Sequence, residues 1–237
     1  MRGKVRREEL RPVASPGRPD EGAAKAASDL LGVYVGLAER GVHLLDDLLA
    51  GAPPVQWERL PADDAVDSAD RYQWFYHSHA PEDRAADSEH GHVHLFARRA
   101  LWKGLLATPD ERAFQKLCGH PRSDAGSRHL IAIGLNAKGL PISLFAVNSW
   151  VTGDLMLGAG HTAHLLSEIE LDTGHPDVDR MIVSLARLCS GEIKRVLAER
   201  DEMLATRAAR GVLEDRSLEM LAEASLDIDS RIENALA

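Results

Sequence analysis

The sequence predicts an α+β fold, an antiparallel sheet of about four strands with helices packed on it, and the order of its segments carries that prediction. A helix-periodic apolar run comes first, four strand-like segments with one inserted helix follow, and helical stretches close the chain. Ala27, Leu30, Leu31, Tyr34, Leu37, Leu44, Leu45 and Leu48 recur near helical spacing until Gly51-Ala-Pro-Pro54 stops the run. Tyr72–His79 is rich in the aromatic residues that favour strands. His90–Phe96 alternates polar with apolar residues or glycine, the period of a second strand, and the polar, proline-bearing stretch Ala80–Ser88 between them is a loop.

Thr108-Pro109-Asp110-Glu111 supplies a helix cap, a proline at the first helical position and a capping acid, so a short helix should run to about Cys118. His129–Leu135 and Leu140–Val147 flank the turn Asn136-Ala-Lys-Gly139, a hairpin. Both of its strands are apolar at nearly every position, which predicts a sheet covered on both faces. The helices available to cover it lie near His161–Leu171, over about Asp177–Arg207 and near Ser217–Leu236. Asp63, Asp64, Asp67 and Asp70 mark a polar link after the first helix. Residues 1–22, with Pro12, Pro16, Pro19 and three glycines, read as a disordered or loosely held arm, and residues 23–237 as a single globular α+β domain.

Composition removes several function classes. The 28 Lys+Arg against 37 Asp+Glu leave a net charge of -9, which repels phosphate backbones, so nucleic acid is not an expected partner. No apolar run approaches the roughly 20 residues that cross a bilayer, and no apolar stretch of a signal peptide follows the basic start Met1–Arg7. The expectation is a cytoplasmic protein without a membrane partner, in which Cys118 and Cys189, far apart and outside any CxxC pattern, are buried thiols. Phosphate-binding, dinucleotide-binding and GxSxG motifs are missing from the sequence, so nucleotide-driven chemistry and the usual serine hydrolase have no support. A homodimer is open, since the terminal helices can pack either on the sheet or on a second subunit.

The histidines carry the functional signal. Seven of the 11 fall between His77 and His129, and five of those lie between His77 and His94. On strands, His77 shares a face with His79, and His90 with His92 and His94. A hairpin closed by the loop Ala80–Glu89 sets His79 opposite His90 and His77 opposite His92, with Cβ atoms about 5 Å apart, close enough for two imidazoles to share one ion. Neutral imidazoles suit iron, zinc, copper or nickel, and a catalytic site takes about three protein ligands and leaves a position open. The candidate ligands are therefore His77, His79, His90, His92, His94 and His129. Glu89 and Asp87 are placed to act as a carboxylate ligand, a general base or an orienter of a ligand's second nitrogen, and Glu89 is the candidate catalytic residue.

Two further segments offer polar groups. If Leu135 faces Leu140, Ala146 lies opposite His129, and Asn148, Trp150 and Thr152 continue along that face as candidate substrate contacts. His161, His164 and Glu168 fall along one helix face, where an ordinary surface pair explains His164 and Glu168 better than a ligand role does, and the HExxH order of a zincin is lacking. His43, His120 and His175 are isolated.

Together Phe75-Tyr-His-Ser-His79, Glu89-His-Gly-His-Val-His-Leu-Phe96 and Leu144-Phe-Ala-Val-Asn-Ser-Trp-Val-Thr-Gly153 resemble a bacterial family of unknown function over roughly residues 57–154. That resemblance implies no activity. The His-x-His strand is also similar to those of α-class carbonic anhydrases and cupins, but their other signatures are not apparent and no catalytic residue is carried over. The expected function is a metal-dependent enzyme acting on a small-molecule substrate, leaning to a non-haem iron oxidoreductase because neutral histidines with at most one carboxylate suit iron as well as zinc. The alternatives are a zinc-dependent hydrolase or lyase, working through water made acidic by the ion, and a non-catalytic metal-handling or small-molecule-binding protein.

Overall fold

The computed structural model describes residues 21–49, 51, 55–79, 89–118, 126–207 and 211–237. The expected arm lies outside them up to residue 20, as do the loop Ala80–Ser88 with its Asp87, and His120. In chain order the elements are α1 (Glu21–Glu39), α2 (Asp46–Leu49), β1 (Leu60–Val66), β2 (Tyr72–Ser78), β3 (Gly91–Arg98), α3 (Arg99–Trp102), α4 (Pro109–Cys118) and β4 (Ser127–Leu135). There follow β5 (Pro141–Val147), α5 (Ser149–Thr152), β6 (Leu155–Met156), α6 (Ala159–Ser167), α7 (Pro176–Leu188), α8 (Ser190–Thr206), β7 (Met220–Ser225) and α9 (Ile228–Leu236).

The α+β class holds, but among the described residues the sheet has seven strands rather than about four. Its order is β1-β2-β3-β4-β5-β7 with every neighbour antiparallel, and the two-residue β6 pairs parallel to β4. Alternation along each strand divides the side chains between two faces. Tyr72, Trp74 and Tyr76 of β2, Val93 and Leu95 of β3, and Ile131 and Ile133 of β4 point to the same side and join one apolar core with Leu30 and Val33 of α1, Leu165 of α6, and Met181, Ile182 and Leu185 of α7. Two hydrogen bonds pin this layer, Tyr72 Oη donating to Leu165 O at 2.9 Å and Trp74 Nε1 donating to Asp179 Oδ1 at 2.9 Å. The opposite face carries the histidines.

Helix α7 follows its sequence signals closely. Pro176 sits in the first turn with Asp177 and Asp179, where acids favour the helix dipole, and Val178, Met181, Ile182 and Leu185 form the buried stripe. The long helix expected over Asp177–Arg207 is broken at Cys189, ahead of Ser190-Gly191, into α7 and α8. In the hairpin, Asn136 Oδ1 accepts from the backbone N of Lys138 and Leu140, and Gly139 takes φ +74. A Cβ there would also sit 2.6 Å from Leu44 Cβ, so the turn needs glycine for both conformation and space.

Three elements differ from expectation. The acidic link after the first helix contains β1, an edge strand whose Pro61, Asp63 and Asp64 suit a sheet border and give no apolar alternation. The helix expected near Ser217–Leu236 is instead β7 followed by α9. Met220–Ser225 is rich in helix formers, but the free edge of β5 recruits it as a strand, and Asp227, whose side chain accepts from Ser230 N, starts the helix afterwards. The chain also leaves the sheet after Val147, so Asn148, Trp150 and Thr152 do not extend β5. Among the described residues no helix is long and apolar enough to cross a membrane.

Candidate metal centre

Strands β2 and β3 pair from Tyr72 opposite Ala97 to Ser78 opposite Gly91, which sets His77 directly opposite His92 and Phe75 opposite His94. The backbone N of His79 donates to His90 O at 3.2 Å, so the pairing has the register expected if β2 and β3 form a hairpin over Ala80–Glu89. Strand β4 then brings His129 alongside. Its regular pairing through Ile131 would turn His129 towards the helices, but a bulge at Leu130 makes Phe96 the partner of His129. The extra residue reverses the alternation and re-aims the ring onto the histidine face. Leu130 joins the helix-side core in its place.

The rings form a contiguous line. His77 Nε2 is 2.7 Å from His92 Nε2, and His92 Nε2 is 2.9 Å from His94 Nε2. His94 Nδ1 is 3.0 Å from His129 Nε2, and His79 Nε2 is 3.2 Å from His92 Nδ1. His77, His79 and His92 each offer a ligand atom within 4.8 Å of the other two. Burial increases along the line: His77 and His79 are half-buried, whereas His92, His94 and His129 are buried. Burial, aided by the positive charge of Arg200, lowers the pKa of His129 to about 3, so that ring is neutral.

Glu89 is buried beside the line. Its Oε1 lies 2.8 Å from His92 Nδ1, where a carboxylate accepts, and a proton held there would leave Nε2 to face His77 and His94 as the lone-pair nitrogen of the ring. Room for the carboxylate comes from Gly134: a Cβ at that position would stand 2.9 Å from Glu89 Oε2 and 2.3 Å from Ser143 Oγ. Ser143 Oγ is buried and has no hydrogen-bond partner among the described residues. Aromatic rings complete the surroundings. Phe145 meets His92 edge-on at 5.0 Å, Phe75 stacks on Phe96 at 5.6 Å, and exposed Trp57 packs edge-on against His79 at 4.5 Å.

His90 is not brought to this group. Strand β3 begins only at Gly91, and His90 Nδ1 lies 2.6 Å from Tyr76 Oη on the helix side of the sheet. Burial, with a smaller contribution from His43, lowers its pKa. Asn148, Trp150 and Thr152 sit in and beside α5 with local partners. Asn148 caps the turn by accepting from Ser149 N and donates to Val212 O, Trp150 Nε1 donates to Leu218 O, and Thr152 Oγ1 accepts from Asp154 N. His161 Nδ1 is 3.6 Å from the buried Glu111, while His164 and Glu168 are exposed.

A family profile described as a domain of unknown function, DUF6969, matches residues 24–226. This chain belongs to the DUF6969 family. No curated protein and no solved structure matches it. The matched span encloses every histidine of the line, Glu89 and all seven strands of the DUF6969 sheet. Trp57, Gly134, Ser143 and the Phe145 wall were not singled out by the sequence. Gly134 carried the one available signal, since a lone glycine inside an apolar strand marks a close approach.

Proposed function

We propose that this protein is a metal-dependent enzyme whose ion is held by imidazoles of His77, His79 and His92, with His94 adjoining. The observation that carries the reading is the convergence of three histidine ligand atoms within 4.8 Å, beside a carboxylate that fixes the tautomer of the central ring. The donors fit the group: they are imidazole nitrogens, a set that iron, copper and zinc accept and that magnesium and calcium do not favour. When bound, such an ion supplies either one-electron redox chemistry or Lewis acidity.

Oxidation with iron or copper is the leading chemistry. Glu89, the one described carboxylate contacting the line, is engaged with His92 Nδ1 and acts as an orienter rather than as a base towards bulk water. The rings of Phe75, Phe96 and Phe145 form an apolar wall that keeps water from the inner imidazoles and suits a small, partly apolar substrate. A zinc-dependent hydrolase or lyase is the second reading, favoured by the half-burial of His77 and His79, which leaves the outer donors open to water.

Metal analysis of the purified protein, followed by assays on iron-, copper- and zinc-loaded forms, tests both. Near-stoichiometric iron or copper with substrate-dependent oxygen uptake is the expected result. Turnover by the zinc form alone establishes the second reading, and weak exchangeable metal without turnover indicates a metal-handling protein. Ligand binding by a fully folded protein that retains no metal overturns the centre itself.

A further inference from the structure

The two nitrogens of His92 face different donor sets. On the Nε2 side stand His77 Nε2 at 2.7 Å and His94 Nε2 at 2.9 Å. On the Nδ1 side stand Glu89 Oε1 at 2.8 Å and His79 Nε2 at 3.2 Å. Ring nitrogens of one imidazole point away from each other, and metal–nitrogen bonds are only about 2.0–2.1 Å long. An ion seated on one nitrogen of His92 therefore takes the donors gathered there, and the other nitrogen keeps a donor set of its own.

We propose that the His92 imidazole bridges two transition-metal ions, one on Nε2 with His77 and His94, the other on Nδ1 with His79 and Glu89. This rests on the metal-centre reading above and divides its donors between two ions, His77 from His79, with Glu89 turning from orienter to ligand when the second ion binds. Each position receives three protein donors, the number that leaves room for a further ligand. A single neutral ring carries one proton, enough to satisfy Glu89, yet a second imidazole is also placed on the Nδ1 side. Binding of the second ion displaces that proton to solvent, and the resulting imidazolate, with the Glu89 carboxylate, offsets charge between the cations.

The Nε2 position is braced from behind. His94 Nδ1 stands 3.0 Å from His129 Nε2, so an N–H on His94 Nδ1 leaves its Nε2 lone pair facing the ion. The Nδ1 position is braced by space, because Gly134 leaves room for the Glu89 carboxylate beneath it. The chain's net charge of -9 favours the approach of cations.

The test is copper loading of metal-stripped full-length protein, with bound metal counted after gel filtration and the spins counted by electron paramagnetic resonance. The expected result is two equivalents of Cu(II) whose signal is much weaker than two independent spins, because the imidazolate couples them. Glu89→Gln and His79→Ala should each retain one equivalent with a full-intensity mononuclear signal, and circular dichroism checks their fold. Saturation of wild type at one equivalent overturns the bridge while leaving the metal centre standing. Two equivalents without magnetic coupling also overturn the bridge. Retention of no copper removes the bridge and the centre together.

Discussion

His77 Nε2 and His92 Nε2 stand 2.7 Å apart across the β2–β3 ladder, a separation at which two ring nitrogens either share a proton or direct their lone pairs at one ion. His92 also touches His79, His94 and Glu89, so it is the common partner of the group. His92→Ala should abolish metal retention, as measured by mass-spectrometric metal analysis after gel filtration, with an unchanged circular dichroism spectrum. His43→Ala, in the turn before α2 and paired with Asp46, should change neither quantity. Equal metal content in the two variants removes His92 from the centre.

His129 tests the inner end of the line. Its Nε2 faces His94 Nδ1, and no other described imidazole lies in contact with its ring. His129→Leu keeps most of the buried volume while removing the partner that orients His94. Loss of such a partner typically weakens metal affinity by about 10–100-fold. Competition against a chromophoric chelator should show that fall with the number of bound ions unchanged. A lost equivalent would instead make His129 itself a ligand.

Much of this arrangement is legible in the residues, for identifiable reasons. The alternation of His90–Phe96 puts His92 and His94 on one face, because a one-residue slip would send every side chain to the other, whereas the pairing of His77 with His92 follows only if a hairpin closes over Ala80–Glu89, and a two-residue slip would keep the same face. Alternation fails at the strand end, where His90 turns to Tyr76, and no local pattern marks the bulge at Leu130 that delivers His129. Strand β1 hides behind Pro61 and its acids because edge strands shed apolar alternation. Strand β7 hides behind helix formers, since its conformation comes from β5 and not from its own propensity. Asn148 looks like a continuing strand until its side chain is seen capping the next turn.

The close packing around Glu89 predicts the behaviour of Gly134. Gly134→Ala places a methyl 2.3 Å from Ser143 Oγ and 2.9 Å from Glu89 Oε2, so one of them must move. Overpacking of this kind costs about 1–3 kcal/mol. Ser143→Ala removes a buried hydroxyl with no partner among the described residues and should be close to neutral, or stabilising. Urea midpoints for both single variants and the double variant form a cycle, in which the double variant should be more stable than Gly134→Ala alone. A strictly additive cycle would show that the clash with Ser143 carries no cost.

On the helix side, Asp179 holds β2 to the start of α7. It accepts from Trp74 Nε1 at 2.9 Å and from the backbone N and Oγ1 of Thr173, each at 2.7 Å. Asp179→Ala strands the buried indole N–H and removes a first-turn acid, a loss of about 2–4 kcal/mol in denaturant unfolding. Metal affinity should be unaffected, because this network lies on the opposite face of the sheet from His92. A matching loss of metal would mean that the two faces are coupled through β2.

The two thiols give a prediction that depends on pH. Burial pushes the Cys118 pKa up to about 12 and that of Cys189 up to about 11, each from an ordinary 9.0. A raised thiol pKa keeps the protonated, unreactive form, so at pH 8 the thiolate fraction falls by a factor on the order of 10³ for Cys118 and 10² for Cys189. Native protein should therefore resist iodoacetamide at pH 8 and incorporate two labels only when urea unfolds it, with the native rate rising as pH increases towards 11. Peptide mapping by mass spectrometry separates the sites, and Cys189 should label first. Labelling of either cysteine in native protein at the rate of a free thiol would show that its surroundings open far more readily than their packing implies.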